Sequence, residues 1–367
     1  MNDFLIKNFT RRSFLESIAR ICCQVGLSSI FLGCFKTDSP GNNTMAELFE
    51  SANDGFKFEP AYLKLHKSGE LKKRAEELWS VMESCKLCPR QCGVNRIKGE
   101  IGVCRSPGTT LVISSFTPHF GEERPLVGKG GSGTIFLTHC GLRCIFCQNW
   151  EISHLGRGST KKIDDLAAIM LTLQARGCHN INLVTPTHYS ASILKAIDIA
   201  AGKGLRLPIV YNTCGWERTE ILSYLDGVVD IYLPDFKYWD KNIATKFSSG
   251  ADSYPEITKE AIIEMHRQVG VAKPAKDGVM QRGLMIRHLV MPSNTGGSEE
   301  IMEWVAKNLP KDTYVNIMAQ YNPRYKAYDY PEISRRITKD EYVRVVKKAK
   351  DLGLTNLDVQ GYGWLER

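Results

Sequence analysis

The chain has 367 residues, of which 43% are hydrophobic and 24% charged, with a formal net charge of +8. That length holds one large domain, or one with a small appendage. The mild positive excess suits a solvated lysine-rich surface or a docking face for an acidic electron carrier such as flavodoxin or ferredoxin, and without a basic helix or interleaved basic and aromatic residues it gives no ground for nucleic-acid binding. Seven of the twelve cysteines fall in two tight groups with metal-ligand spacing, which is how a reduced or anaerobic protein uses thiols rather than disulfides.

The opening Thr10-Arg11-Arg12-Ser13-Phe14-Leu15-Glu16, followed by an apolar stretch from Ile18 to Phe35, has the form of a twin-arginine export signal. Phe31-Leu32-Gly33-Cys34 resembles a lipoprotein cleavage box, so Cys34 is a candidate lipidated residue and the N-terminus a candidate membrane anchor. The alternative is an uncleaved or vestigial amphipathic segment on a cytoplasmic protein. Residues 1–45 are assigned to this signal or anchor and its linker, and the composition from Asp38 to Asn53 is that of a linker.

Residues 46–132 are expected to form a helix and a small metal-binding lobe. Ala61 to Met82 reads as helical, with an irregular apolar stripe through Leu63, Leu65, Leu71, Ala75, Leu78 and Val81. It delivers the chain to Cys85, Cys88, Cys92 and Cys104, four thiols and hence a closed site. Zinc or a single iron would staple the lobe there, and an auxiliary [4Fe-4S] cluster would relay electrons. Gly128-Lys-Gly-Gly-Ser-Gly133 is not read as a phosphate loop, because it leads into a strand and offers no helix N-terminus. Its glycines are expected to let backbone pass close to a barrel floor.

From Gly133 the pattern alternates between short β-rich runs and amphipathic helices. Strands are predicted at Thr134 to Thr138, Ile181 to Thr185, Ile209 to Thr213, Ile231 to Leu233, Leu284 to Met291 and Tyr314 to Met318. Six βα units imply a parallel sheet with right-handed crossovers, two short of a closed barrel. The fold class is therefore α/β, a partial, three-quarter TIM-type barrel over residues 133–325 with the small N-terminal four-cysteine lobe. Residues 326–367 form a C-terminal extension, with a charged helix from Asp340 to Leu352 and a last run, Leu357 to Tyr362, closing one edge.

Cys140, Cys144 and Cys147 follow the first of these strands as Cys-Gly-Leu-Arg-Cys-Ile-Phe-Cys. A cubane [4Fe-4S] cluster takes four thiolates, so a compact trio leaves one iron open for an outside molecule. The CxxxCxxC spacing, with Phe146 before the last cysteine, resembles that of radical S-adenosylmethionine (SAM) enzymes. More narrowly, the stretch from about Cys85 to Pro323 resembles PflX-type proteins, relatives of pyruvate formate-lyase activating enzymes. The segments 85–96, 140–150, 180–188, Asp230-Ile-Tyr-Leu-Pro-Asp-Phe-Lys237 and 265–270 carry this resemblance.

The resemblance implies a [4Fe-4S] cluster on Cys140, Cys144 and Cys147, and SAM held by the strand ends. It places Phe146 by the adenine and Thr185, Asn212, Asp235, Lys237 and Arg287 among the cofactor-binding candidates. It also implies a low-potential electron donor and a reductive cleavage of SAM to a 5′-deoxyadenosyl radical, with activation of a glycyl radical enzyme as one outcome and therefore a protein substrate. One departure stands out. The activating enzymes carry Gly-Gly-Glu after the second strand, where this chain has Thr185-Pro186-Thr187-His188. His188 is a proton donor or a satisfied loop histidine, Cys214 a strand-end thiol with a redox role or none, and Cys178 structural. The rival functions are a small-molecule or peptide-modifying radical SAM enzyme, and a non-catalytic exported iron-sulfur or zinc protein.

Overall fold

The computed structural model describes residues 58–359. The twin-arginine sequence, Cys34 and the linker fall outside the described residues, as do residues 360–367. Among the described residues no helix is long and apolar enough to cross a membrane.

Two helices open the fold, α1 (Tyr62–Lys67) and α2 (Glu70–Ser80). The single helix expected from Ala61 to Met82 is broken because Gly69 adopts φ +77, a conformation that costs any residue with a Cβ. Leu71, Ala75 and Leu78 recur at helical spacing and are buried, which turns that face of α2 into the core.

Ten strands then build one sheet. They are β1 (Leu111–His119), β2 (Ser132–Leu137), β3 (Ser159–Lys161), β4 (Ile181–Val184), β5 (Ile209–Thr213), β6 (Ile231–Pro234), β7 (Lys273–Pro274), β8 (Met280–Leu289), β9 (Tyr314–Met318) and β10 (Leu357–Val359). The helices between them are α3 (Arg124–Val127), α4 (Trp150–Ser153), α5 (Ile163–Ala175), α6 (Ser190–Gly202), α7 (Thr219–Leu225), α8 (Lys241–Phe247), α9 (Tyr254–Val269), α10 (Ser298–Asn308) and α11 (Lys339–Asp351). The order across the sheet is β10-β9-β8-β6-β5-β4-β2-β1-β3, with β7 paired to β8. From β2 to β10 every neighbouring pair along this path is parallel, whereas β1 runs antiparallel to β2 and to β3. The edges β10 and β3 do not pair, so the barrel is partial, as expected.

Two details differ from the expectation. The fifth predicted strand begins at Met280 and ends at Leu289, rather than running from Leu284 to Met291. The antiparallel β1 and β3 have no counterpart in the six predicted strands. Pro118 disguises β1, since proline reads as a strand breaker, and it lies beyond Leu111–Ile113, the part of β1 that β3 covers. At the other edge, α11 crosses over to β10, which pairs with β9 through Leu357, Asp358 and Val359, where the last run was expected to close the sheet.

Alternate residues on the strands point inward. Val210, Ile231, Leu233, Met285 and Tyr314 enclose an inner apolar cluster with Leu126, Ala272 and Met280. Leu126 belongs to the β1–β2 connector, which therefore enters the barrel rather than running over its surface. The glycines after it allow this close approach: a Cβ on Gly130 would fall 1.9 Å from the Gly177 carbonyl oxygen.

Asp230, ahead of β6, closes the opposite wall. One carboxylate oxygen accepts the Ala61 N–H at 3.0 Å and the other the Ile209 N–H at 3.1 Å. Burial pushes this carboxyl up to about 7. Since the folded value lies above the ordinary one, the stability it contributes is whole below about pH 4 and is lost as the pH rises through about 7. Between pH 5 and 8 the wild type is expected to lose about 2–3 kcal/mol relative to Asp230→Asn in urea unfolding. Equal pH slopes for the two proteins would refute the assignment.

Candidate metal and cofactor site

β2 hands the chain to a loop at the carboxyl ends of the parallel strands, the end at which α/β barrels carry their chemistry. This loop holds Cys140, Cys144 and Cys147, and within it His139 (φ +67) and Arg143 (φ +56) occupy the left-handed region. Such strain persists only where surrounding bonds impose it. Here His139 N–H donates to the Ile152 carbonyl at 3.0 Å, Ile145 N–H to the Phe247 carbonyl at 2.9 Å, and the His154 ring to the Cys144 carbonyl at 2.9 Å.

Each thiol has a polar neighbour. Ser248 Oγ donates to Cys144 Sγ at 3.3 Å and Ser153 Oγ to Cys147 Sγ at 3.2 Å. Cys214, just past β5, neighbours Cys140 and holds that thiol below the usual range, against the effect of burial. Cys144 is pushed up to about 12 by burial, with Lys237 opposing. Donors aimed at sulfur are what thiolate ligands of an iron-sulfur cluster accept, so this donor set fits the group.

Among the described residues no three His, Cys, Asp or Glu side chains gather closely enough to hold a single metal ion. A tetrahedral ion holds its thiolates about 3.8 Å apart, whereas a cubane takes each on a different iron and spreads them further. The same holds for Cys85, Cys88, Cys92 and Cys104, all unpaired by disulfide. Tight turns hold them near one another: Cys85 N–H donates to the Val94 carbonyl at 2.9 Å and Gln91 N–H to the Cys88 carbonyl at 3.0 Å.

Arg90 fastens this segment to the trio. Its Nε donates to the Gly141 carbonyl at 3.0 Å, Nη2 to the Ser248 carbonyl at 2.9 Å and Nη1 to the Ser249 carbonyl at 2.8 Å. One guanidinium thus ties the four-cysteine turn to the trio's loop and to the serine that donates to Cys144.

Four of the predicted cofactor residues meet in one buried network. Lys237 Nζ pairs with Asp235 at 2.6 Å, Arg287 Nε with the other oxygen of Asp235 at 2.8 Å, and Arg287 Nη2 donates to Asn212 Oδ1 at 2.6 Å. Burial would raise the Asp235 carboxyl, but Arg287 and Lys237 outweigh it and hold it below the usual range. Thr185 stands apart at the end of β4, with φ +59 and its N–H on the Asn212 carbonyl at 2.8 Å. Phe146 is buried, with its ring edge-on to Tyr238 at 6.1 Å and tilted on Tyr321 at 5.9 Å.

His188 is also buried, its Nε2 on the Thr138 carbonyl at 2.8 Å and its own carbonyl accepting from Arg96 at 2.7 Å. Burial pushes its pKa down to about 3, so the ring is neutral. Cys178 is buried between α5 and β4.

Sequence reasoning missed Glu122, Glu123, Asn316 and Glu217. The first two arrive on the connector that enters the barrel: Asn316 Nδ2 donates to Glu123 Oε1 at 3.1 Å, and Asn212 Nδ2 lies 3.4 Å from Glu122 Oε2. Burial pushes Glu122 up to about 7, with Arg287 opposing. The adjacent acids in Gly-Glu-Glu-Arg-Pro were the only local signal. Glu217 is buried beyond β5, accepting from the hydroxyls of Thr187 and Thr213, and burial pushes it up to about 7.

No family model matches the chain. Among solved structures it is similar to a radical SAM methyltransferase from Sphaerobacter thermophilus, at 15% identity and TM-score 0.43 over 62% of this chain and 65% of that one. It is similar to methylornithine synthase (PylB) at 12% identity and TM-score 0.40, over 85% of each chain. It is similar also to TYW1 with a lysine-pyruvate adduct bound, at 11% identity and TM-score 0.37 over 59% of this chain and 73% of that one. In sequence it is 30% identical over 343 residues to the uncharacterized protein MJ0674 of Methanocaldococcus jannaschii, spanning 89% of this chain and 93% of that protein. At that identity and coverage, the chain belongs to the same family as MJ0674.

Proposed function

We propose that this protein is a radical SAM enzyme whose cluster ligands are Cys140, Cys144 and Cys147. The observation that carries the reading is the trio itself: three thiols on one loop at the carboxyl end of the first parallel strand, two of them receiving serine hydroxyls. When bound, a [4Fe-4S] cluster and SAM supply a one-electron cleavage of the carbon-sulfur bond that yields methionine and a hydrogen-abstracting 5′-deoxyadenosyl radical. The chain's own share is positional. Ser153 and Ser248 orient the thiolates, Arg90 holds the loop, and Asn212, Asp235, Lys237 and Arg287 form a rigid polar wall toward which SAM is directed.

Activation of a glycyl radical enzyme has the resemblance to the activating enzymes in its favour and Thr185–His188 against it. A small-molecule substrate is favoured by a half-open cavity beside the polar wall, lined by Glu123, Arg287 and Asn316. A low-potential flavodoxin or ferredoxin suits either form as donor. The N-terminal sequence favours twin-arginine export, with Cys34 as a lipid anchor. For Cys85, Cys88, Cys92 and Cys104, a zinc or single-iron staple and an auxiliary cluster both suit four neighbouring thiols.

A second reading has one observation behind it. Cys214 lies against Cys140, and a fourth thiolate would close the cluster to SAM and make the protein a non-catalytic iron-sulfur module. Anaerobic reconstitution with iron and sulfide, then dithionite and SAM, separates the two. The enzyme is expected to form 5′-deoxyadenosine with an EPR signal that SAM perturbs. A reduced cluster whose spectrum ignores SAM, with no 5′-deoxyadenosine, would establish the closed module instead.

A further inference from the structure

A cavity of about 310 Å³ lies beside the inner wall of the barrel, lined among others by Glu122, Glu123, Arg287, Asn316 and Asp358. Its chemistry is lopsided. Glu123 Oε2 and Asn316 Oδ1 are buried, and among the described residues no N–H or hydroxyl donates to either. The two residues are only 8% and 7% exposed, so bulk water does not serve them. A buried acceptor left unpaired costs about 1–3 kcal/mol, and more when it carries charge. Two such atoms at one cavity mark a place where a donor belongs.

The charges point the same way. Glu123 and Asp358 line the space with Glu122, whose carboxyl burial pushes up to about 7, and among the described residues the lining cations do not balance them. Arg287 is engaged by Asp235 at 2.8 Å and Asn212 at 2.6 Å, and its Nη1 stands 3.8 Å from Glu123 Oε1. Arg124, the other lining cation, is exposed to solvent. Among the described residues Asp358 accepts from the Tyr314 hydroxyl at 2.7 Å, and Glu122 has Asn212, Glu123 and the positive charge of Arg287 for neighbours. Glu123 is buried and Glu122 and Asp358 partly so, and acids withdrawn from water in excess call for a counter-charge. A metal ion does not meet the need, because no three acidic, histidine or cysteine side chains converge there.

We propose that this cavity binds a small organic cation, an ammonium-bearing molecule whose N–H groups donate to Glu123 Oε2 and Asn316 Oδ1. Its positive charge offsets Glu122, Glu123 and Asp358, and its carbon chain lies along Met318. As a substrate pocket, the site rests on the radical SAM reading. As a binding site it stands without it, because binding is measured with neither SAM nor reductant present.

Isothermal titration calorimetry on the anaerobically purified protein tests this with 1,4-diaminobutane, its neutral isostere 1,4-butanediol and the dianion succinate. The diamine is expected to bind at one site per chain, at least tenfold more tightly than the diol, with succinate silent. Glu123→Gln keeps the shape and removes the charge, and is expected to weaken the diamine at least tenfold. If Glu123→Gln melts well below wild type, Glu122→Gln carries the same test, with a loss of at least threefold. Equal affinity for diamine and diol, no saturable diamine binding, or full affinity in a folded variant would overturn the proposal. Displacement of the diamine by magnesium chloride at equal ionic strength would also overturn it, in favour of a metal site.

Discussion

Cys144→Ala is expected to leave a folded protein that no longer cleaves SAM, with 5′-deoxyadenosine falling by about 10³-fold or more, equivalent to about 4 kcal/mol of lost barrier reduction. Cys144 is the central thiol of the trio. It is buried, receives the Ser248 hydroxyl, and sits where its own carbonyl is held by His154. Alanine fits in its place without strain, so the loss is one of ligation rather than of fold. Anaerobic assays should show the loss together with a fall in bound iron. Cys178→Ala is the control: it too is a buried thiol, between α5 and β4, and its removal should leave SAM cleavage near wild type. Wild-type levels of 5′-deoxyadenosine from Cys144→Ala would end the proposed assignment of the trio.

The second large effect is on stability. Arg287→Ala leaves Asp235 with Lys237 alone, strands Asn212 Oδ1, and removes the guanidinium that stands 3.8 Å from Glu123. Losing one partner of a buried ion pair costs about 3–5 kcal/mol when the other charge is left bare; Lys237 still faces Asp235, so the loss expected here is about 2–3 kcal/mol. Urea unfolding should show that loss. Arg287→Met together with Asp235→Asn and Lys237→Met should lose less than Arg287→Ala alone, since all three charges of the network are then removed. Strict additivity of the three sites would mean that the network is not coupled. Arg287→Lys is not expected to restore the wild type, because a point charge cannot reach Asp235 and Asn212 at once as the planar guanidinium does.

Much of the fold can be read along the chain. Ile209–Thr213 and Tyr314–Met318 are strands at the predicted residues, and α5 ends before Gly177 at φ +81. These are local signals: two-residue alternation, helical spacing, and a glycine where the backbone turns left-handed. The break at Gly69 was present in the sequence but ambiguous, because an isolated glycine in a helical pattern is tolerated as often as it terminates. β1 was hidden by Pro118, whose position at a thinly covered edge depends on where β3 pairs.

The candidate site divides in the same way. The cysteine groups, their spacing and their place after a strand are properties of neighbouring residues, and so the sequence by itself determined them. It also determined that Asp235 and Lys237 share a strand end, two residues apart. Only the tertiary structure decided that Cys214 reaches Cys140, that Arg90 bridges the two cysteine groups, and that Glu123 meets Asn316 across 193 positions of chain. Those meetings depend on which strands lie side by side and on a connector that enters the barrel instead of skirting it. Periodicity assigns a residue to a face of its own strand. Which residues oppose that face is set by the packing of the whole sheet, and there the unpaired acceptors beside Arg287 come together.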